Sequence, residues 1–441
     1  MTAPSTAKTM SPELTRVAEL AKRNPQMQFR SLAHLIDEAA LGRAFARLRK
    51  DAAAGVDELT KEEYGRDLET RLRDLHERLR ARRYRHQPIR RVHIRKESGG
   101  TRPIGISTVE DKIVQAAITE VLEAVYEQDF LDGSYGFRPG RSAHDALRSL
   151  NRIVWTGQAS WILEADIESF FDSIDRSKLI EILRLRVVDG ALLRLIGKCL
   201  RVGVLDGANY TESETGTAQG SVLSPLLGNI YLHHVLDLWF EHEVRPRLRG
   251  RATLVRYADD FVIGFEHEAD ARRVLAVVGK RMQRFGLRLH PDKTRLIPFG
   301  KPPTDHTGGK GPATFDFLGF TLHWRRSRRG GWALGFKTRK GRIARAVRRL
   351  NVWCRRHRHL PIDVQHAALR RQLNGHYSYF GVSGNYRSLN RFFLQVHVIW
   401  LKWLRRRSQR TVLTVDRYRA LLETYPLPQP TIRVRLWLPT S

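Results

Sequence analysis

The chain has 441 residues, 41% of them hydrophobic, which allows two or three domains with sizeable cores and excludes a disordered or fibrous chain. Its 77 Lys plus Arg against 46 Asp plus Glu leave a net charge of +31, an excess whose usual partner is nucleic acid. The two cysteines, Cys199 and Cys354, lack CxxC spacing, so a reducing cytoplasm is expected rather than a disulfide framework or a cysteine zinc site.

At the start of the chain, MTAPSTAKTM lacks the basic and apolar regions of a secretion signal. No later run approaches the roughly 18 apolar residues of a spanning helix, so no membrane partner is expected. Residues 1–30 are polar and expected to be flexible. An amphipathic pattern runs from Leu32 to Leu48, and residues 55–84 predict a turn followed by one long charged helix. Residues 88–106 (PIRRVHIRKESGGTRPIGI) predict a β-hairpin turning at Ser98-Gly99-Gly100, with a helix following over 111–130. WILEADI (161–167) reads as a strand, and 224–243 as a helix with Pro225 in its first turn. LVRYADDFVIGF (254–265) is a tight hairpin, and 268–286 is an amphipathic helix ended by Gly286. Residues 300–312 form a loop by composition. Beyond it FDFLGFTLHW is strand-like, and about 340 to 425 is helical and densely basic. There Ile343, Val347, Leu350 and Cys354 make one stripe, while Arg345, Arg348, Arg349, Arg355 and Arg356 mostly take the remaining surface. So much positive charge on one helix calls for phosphates, and the tryptophans of WLKWLRRRSQR (400–410) are expected in the core.

The sharpest signal is chemical. Asp259 and Asp260 sit side by side at a turn between apolar strands, where like charges repel. Asp166 lies 93 positions before Asp259, at the end of another strand-like run. If the two segments are sheet neighbours, all three acids meet at one edge. Nucleotidyl transfer by two divalent ions needs such a set, because hard ions such as Mg²⁺ take carboxylate oxygens and few protein ligands.

With ADIESFFDSID (165–175), AQGSVLSPLLGNIYL (218–232) and YGFRPGRSAHDAL (135–147), the YADD hairpin resembles the bacterial group II intron-encoded reverse transcriptases/maturases, from about residue 30 to 430. The resemblance implies an α+β fold: a right-hand polymerase, with fingers and palm built on antiparallel sheet, followed by an α-helical thumb/maturase domain. The implied layout is a flexible segment over 1–30, N-terminal extension and fingers over 31–155, palm over 156–325, and an RNA-binding thumb over 326–441. It further implies RNA-directed DNA synthesis from dNTPs on an RNA template/DNA primer duplex, two Mg²⁺ ions, and binding of group II intron RNA, or another structured RNA, in splicing and retrotransposition. A polymerase domesticated for phage defence or DNA repair, and a catalytically idle maturase, stay open as alternatives. The match assigns the metals to Asp166, Asp259 and Asp260. It assigns the nucleotide to Lys96, Arg102, Phe171, Gln219, Gly220 and Lys293, with Phe171 excluding a 2′-hydroxyl and Lys293 protonating pyrophosphate. Arg138 and Arg141 match a template-touching segment, and FDFLGF (315–320) matches the primer grip. Many relatives carry a further cysteine-containing endonuclease domain, which is not expected here because CxxC pairs are absent.

Overall fold

The structure is a computed structural model that describes residues 10–95, 100–206, 209–211, 220–303, 313–327, 330–407 and 413–437. The chain begins with helices α1 (Pro12–Arg23), α2 (Glu38–Arg47), α3 (Lys61–Gly65) and α4 (Leu68–Arg80). Strands β1 (Ile89–Arg95) and β2 (Thr101–Ile106) precede helices α5 (Val109–Tyr126) and α6 (Ala143–Trp155). Then come β3 (Trp161–Asp166), α7 (Phe170–Ser173), α8 (Arg176–Arg184), α9 (Gly190–Leu200), β4 (Val204–Asp206), β5 (Asn209–Thr211) and α10 (Ser224–Leu232). The centre closes with β6 (Ala252–Tyr257), β7 (Asp260–Phe265), α11 (Glu268–Arg284) and β8 (Arg295–Pro298). Strands β9 (Phe315–Phe317), β10 (Phe320–Arg326) and β11 (Trp332–Thr338) lead into helices α12 (Lys340–His357), α13 (Ile362–Phe380), α14 (Tyr386–Leu404) and α15 (Val415–Thr424). The α+β expectation holds.

Three sheets organise these elements, ordered β2-β1-β4-β5, β6-β7-β3-β8 and β11-β10-β9. The middle sheet is antiparallel throughout, with β3 between β7 and β8. Strand β7 has five consecutive buried residues, as an interior strand covered on both faces requires. Helix α5 is buried over most of its length, its polar residues Asp111, Gln115 and Glu120 included. It joins the N-terminal helices and the middle sheet in one core, while α12 to α15 enclose a separate core around Leu350, Tyr377 and Trp400.

Two expectations change. Within 1–30, Pro12–Arg23 is a packed helix: Ser11 caps it, Leu14 and Ala21 are buried, and it lies against α5. Its far end is tied by Arg186, which donates to the carbonyls of Ala21, Asn24 and Met27. The long charged helix over 55–84 is instead two, because Thr60 and Glu63 form a capping box that starts the five-residue α3 and α4 begins afresh at Leu68. The helix after Pro225 runs as α10 and continues in π-helical turns over His233–Asp237 and Trp239–Val244.

Candidate active site

Asp166 ends β3 and Asp260 begins β7, and the two are direct register partners. Asp259 lies in the two-residue turn joining β6 to β7, whose first residue, Ala258, takes a φ of 57°. A left-handed backbone is strained for alanine. The three acids therefore meet at one sheet edge, as their spacing predicted.

Their electrostatics are those of crowded negative charge. Burial, reinforced by Asp166, Asp259 and Glu164, pushes the Asp260 carboxyl up to about 8, against a backbone N–H donated by Leu318. Asp166 accepts from Lys293 Nζ at 2.5 Å. That lysine is carried by the turn Pro291–Lys293, which hangs from β3 through His290 N–H donating to the Asp166 carbonyl at 2.8 Å. Glu164 is paired with Arg295 at 2.6 Å. Among the described residues no three acid, histidine or cysteine side chains converge into a ready-made metal cage. The donor set still fits hard divalent ions, which share few carboxylates with substrate phosphates and water, and a proton-holding Asp260 is what an added cation would discharge.

The surrounding loops are placed by glycines and buried amides. A Cβ on Gly136 would lie 2.3 Å from the Ala258 nitrogen, so only glycine lets the 133–142 loop lie against the aspartate turn. Gly220, with φ 110°, similarly abuts the Gly105 carbonyl on β2. The loop after it is held by Gln115 of α5, whose Oε1 accepts from Ser221 Oγ and Val222 N–H. Phe170 is core, whereas Phe171 is half-buried, both packed against Gly228. FDFLGF is a hairpin turning at Leu318 and Gly319, both with positive φ, and its tip reaches Asp260 through Leu318.

Other candidates fall elsewhere. Arg138 is a correction: it is buried, Nε donating to Glu127 and Nη1 to the carbonyls of Leu131 and Ser134, so it fixes its own loop rather than facing outward. Arg141 pairs with Asp132 and lies over Tyr135. Lys96 and Gln219 lie outside the described residues. So does the Arg102 side chain, although its backbone pairs with Ile94 in the β1–β2 hairpin. On α12, Arg348, Arg349, Arg355 and Arg356 are exposed and Arg345 is half-buried. Trp400 and Trp403 are core, as expected, donating to Gln365 and Asn351.

Sequence reasoning passed over a buried quartet beneath the turn. Arg256 on β6 is fully buried and forks onto Asp237 at 2.8 and 2.6 Å, while Asn229 of α10 bridges it to Gly136. The available signal was an arginine inside an apolar strand, and an asparagine and an aspartate inside the apolar run SPLLGNIYLHHVLDLWF.

Comparison with known proteins locates these features. Residues 94–322 match the family described as reverse transcriptase (RNA-dependent DNA polymerase), a span that contains all three aspartates and Lys293. Protein YkfC of Escherichia coli is 32% identical over 352 residues, covering 71% of this chain and 88% of that protein. The group II intron-encoded protein LtrA of Lactococcus lactis is 42% identical over 172 residues, 37% of this chain and 28% of LtrA. An uncharacterized 91 kDa protein in the cob intron of Schizosaccharomyces pombe is 46% identical over 155 residues, 35% of this chain and 19% of that protein. The alignments thus span under a third of either intron protein's length.

Proposed function

Because this chain belongs to the reverse transcriptase (RNA-dependent DNA polymerase) family, we propose that it copies an RNA template into DNA from a DNA primer and dNTPs, and that it binds group II intron RNA to assist splicing and retrotransposition. The observation that carries the proposal is the register pairing of Asp166 with Asp260 beside the Asp259 turn, inside the matched span. In this reading the middle sheet is the palm, the β1–β2 hairpin belongs to the fingers, and α12 to α15 are the thumb.

Two Mg²⁺ ions at Asp166, Asp259 and Asp260 would activate the primer 3′ oxygen and stabilise the leaving pyrophosphate. The chain's own residues do the rest. Lys96 and Arg102, which flank Ser98-Gly99-Gly100 in the sequence, grip the triphosphate, Arg by bidentate contact. Gln219 and Gly220 lie along the nucleotide, Phe171 leaves no room for a 2′-hydroxyl, and the Leu318–Gly319 turn guides the primer end. Lys293 would pass a proton to pyrophosphate, a role its contact with Asp166 supports. Arg141 and the α12 arginines Arg345, Arg348, Arg349, Arg355 and Arg356 contact RNA phosphates.

RNA-templated primer extension with dNTPs tests the polymerase half; failure with every supplied RNA template would reject it. Sequencing the RNA that stays bound during purification from the native host tests the other half. One structured RNA encoded around the chain's own gene is expected, and an unrelated RNA would move the role to defence or repair.

A further inference from the structure

The quartet beneath the aspartate turn joins three parts of the molecule that are far apart in sequence. Arg256 immediately precedes Tyr257, and its guanidinium is enclosed: Nε and Nη2 donate to both oxygens of Asp237, and Nη1 donates to Asn229 Oδ1 at 2.9 Å and the Ala258 carbonyl at 3.2 Å. Asn229 uses its other end on the 133–142 loop, Nδ2 donating to the Gly136 carbonyl at 2.6 Å. The same loop is laced to β6 by Tyr135 N–H donating to the Arg256 carbonyl and Arg256 N–H donating to the Gly133 carbonyl. Asp237 sits in the π-helical turn His233–Asp237, where the winding of a simple α-helix is interrupted, a frequent device at functional sites.

This is a costly arrangement for holding a sheet together. A buried Arg–Asp fork is seldom more stable than apolar side chains of the same size. A buried polar network does fix one geometry among several of similar energy. Here the geometry it fixes is the strained Ala258 turn, approached from below by the guanidinium and from the side by the Gly136 backbone. Strand pairing ends at Tyr257 and Asp260, so the ladder alone does not define the turn, yet the turn must hold Asp259 against Asp166 and Asp260.

We propose that Asn229 is a positioning residue, the tie through which the buried Arg256–Asp237 pair and the 133–142 loop together set the turn bearing Asp259 for divalent-ion capture. The inference rests on the polymerase reading for its activity readout but not for its ion readout. An amide is needed because both an acceptor, facing Arg256, and a donor, facing Gly136, are required on one short side chain.

The test compares the unmodified chain with Asn229→Asp, which keeps the acceptor and loses the donor, and with Asn229→Ser, which is too short to span both partners. Far-ultraviolet circular dichroism establishes folding, so if one variant does not fold the other carries the measurement. In both, kcat for primer extension should fall on the order of 10- to 100-fold, the effect of a small misplacement of a reacting geometry. Affinity for template–primer, measured by anisotropy with Mg²⁺ chelated, should stay within about twofold, since every phosphate-binding side chain is kept. Without substrates, the Mg²⁺ concentration needed for half of the Mg²⁺-induced rise in melting temperature should increase about fivefold or more in the variants, because the ion is sensed through the turn. A variant that melts lower but keeps kcat and the Mg²⁺ midpoint would overturn the inference and leave Asn229 a stabilising residue only. If the unmodified chain extends no primer, the polymerase reading fails, and the Mg²⁺ midpoint alone decides this one.

Discussion

Three carboxylates at one sheet edge need positive charge nearby, and Lys293 supplies part of it through Asp166. That the acids were legible in the sequence has a physical cause: charged residues that end apolar strands gather where neighbouring strands stop, as β3 and β7 do at Asp166 and Asp260. Arg138 was misread for the opposite reason. Nothing local in YGFRPGR shows that Glu127 and the carbonyls of Leu131 and Ser134 will close around it. Arg138→Ala should therefore lower stability by about 1–3 kcal/mol, because half-buried Glu127 and the carbonyls of Leu131 and Ser134 lose their donor. Denaturant unfolding checks this, and the salt dependence of RNA affinity should not change. Phe171 stands beside Phe170 with its ring centroid 5.1 Å away, half-buried rather than core. Phe171→Ala should relax discrimination against ribonucleotides by roughly 10-fold or more, the size of a steric exclusion of one to a few kcal/mol. Competitive incorporation of a ribonucleotide against its deoxynucleotide measures that ratio.

Hairpins and amphipathic helices were legible because their patterns are local. The β6–β7 pair and α11 occupy Ala252–Phe265 and Glu268–Arg284, with Gly286 at φ 75° behind the helix. By its pattern FDFLGFTLHW reads as strand-like, and the hairpin came only from the match of FDFLGF to the primer grip, since apolar alternation does not reveal two positive-φ residues at Leu318 and Gly319. The winding of the chain after Pro225 into π-turns was equally hidden, because the buried partner of Asp237 comes from β6. The C-terminal helices add a pH-sensitive element. His376 on α13 is packed against Phe380 and Phe392, and burial lowers its ring pKa to about 4. The unfolded chain binds that proton near 6.5 and the folded chain does not, so stability is complete above that pH and is lost as pH falls towards 4. Over that window the loss amounts to roughly 3 kcal/mol from this group. His376→Phe should flatten the decline of the melting temperature between those pH values, and an unchanged slope would contradict it.

At the scale of the whole molecule, the net charge of +31 foretold a polyanion without saying where it binds. Composition carries no address, and the exposed arginines of α12 are the proposed one. Replacing Arg348, Arg349, Arg355 and Arg356 by alanine should reduce the slope of log affinity for RNA against log salt by about 0.7–0.9 for each phosphate no longer neutralised. A slope that does not change would remove α12 from the RNA-binding surface. The α+β order and the meeting of the acids followed from sequence, while the ties that set their geometry required the fold, since Asn229, Asp237 and Arg256 meet only there. Whether these acids drive RNA-templated DNA synthesis is decided by extending a DNA primer on an RNA template in Mg²⁺ with the unmodified chain and with Asp259→Asn. The unmodified chain should extend the primer, and Asp259→Asn should lose at least about 10³-fold in rate while keeping its template–primer affinity. Undiminished extension by Asp259→Asn would contradict the assignment.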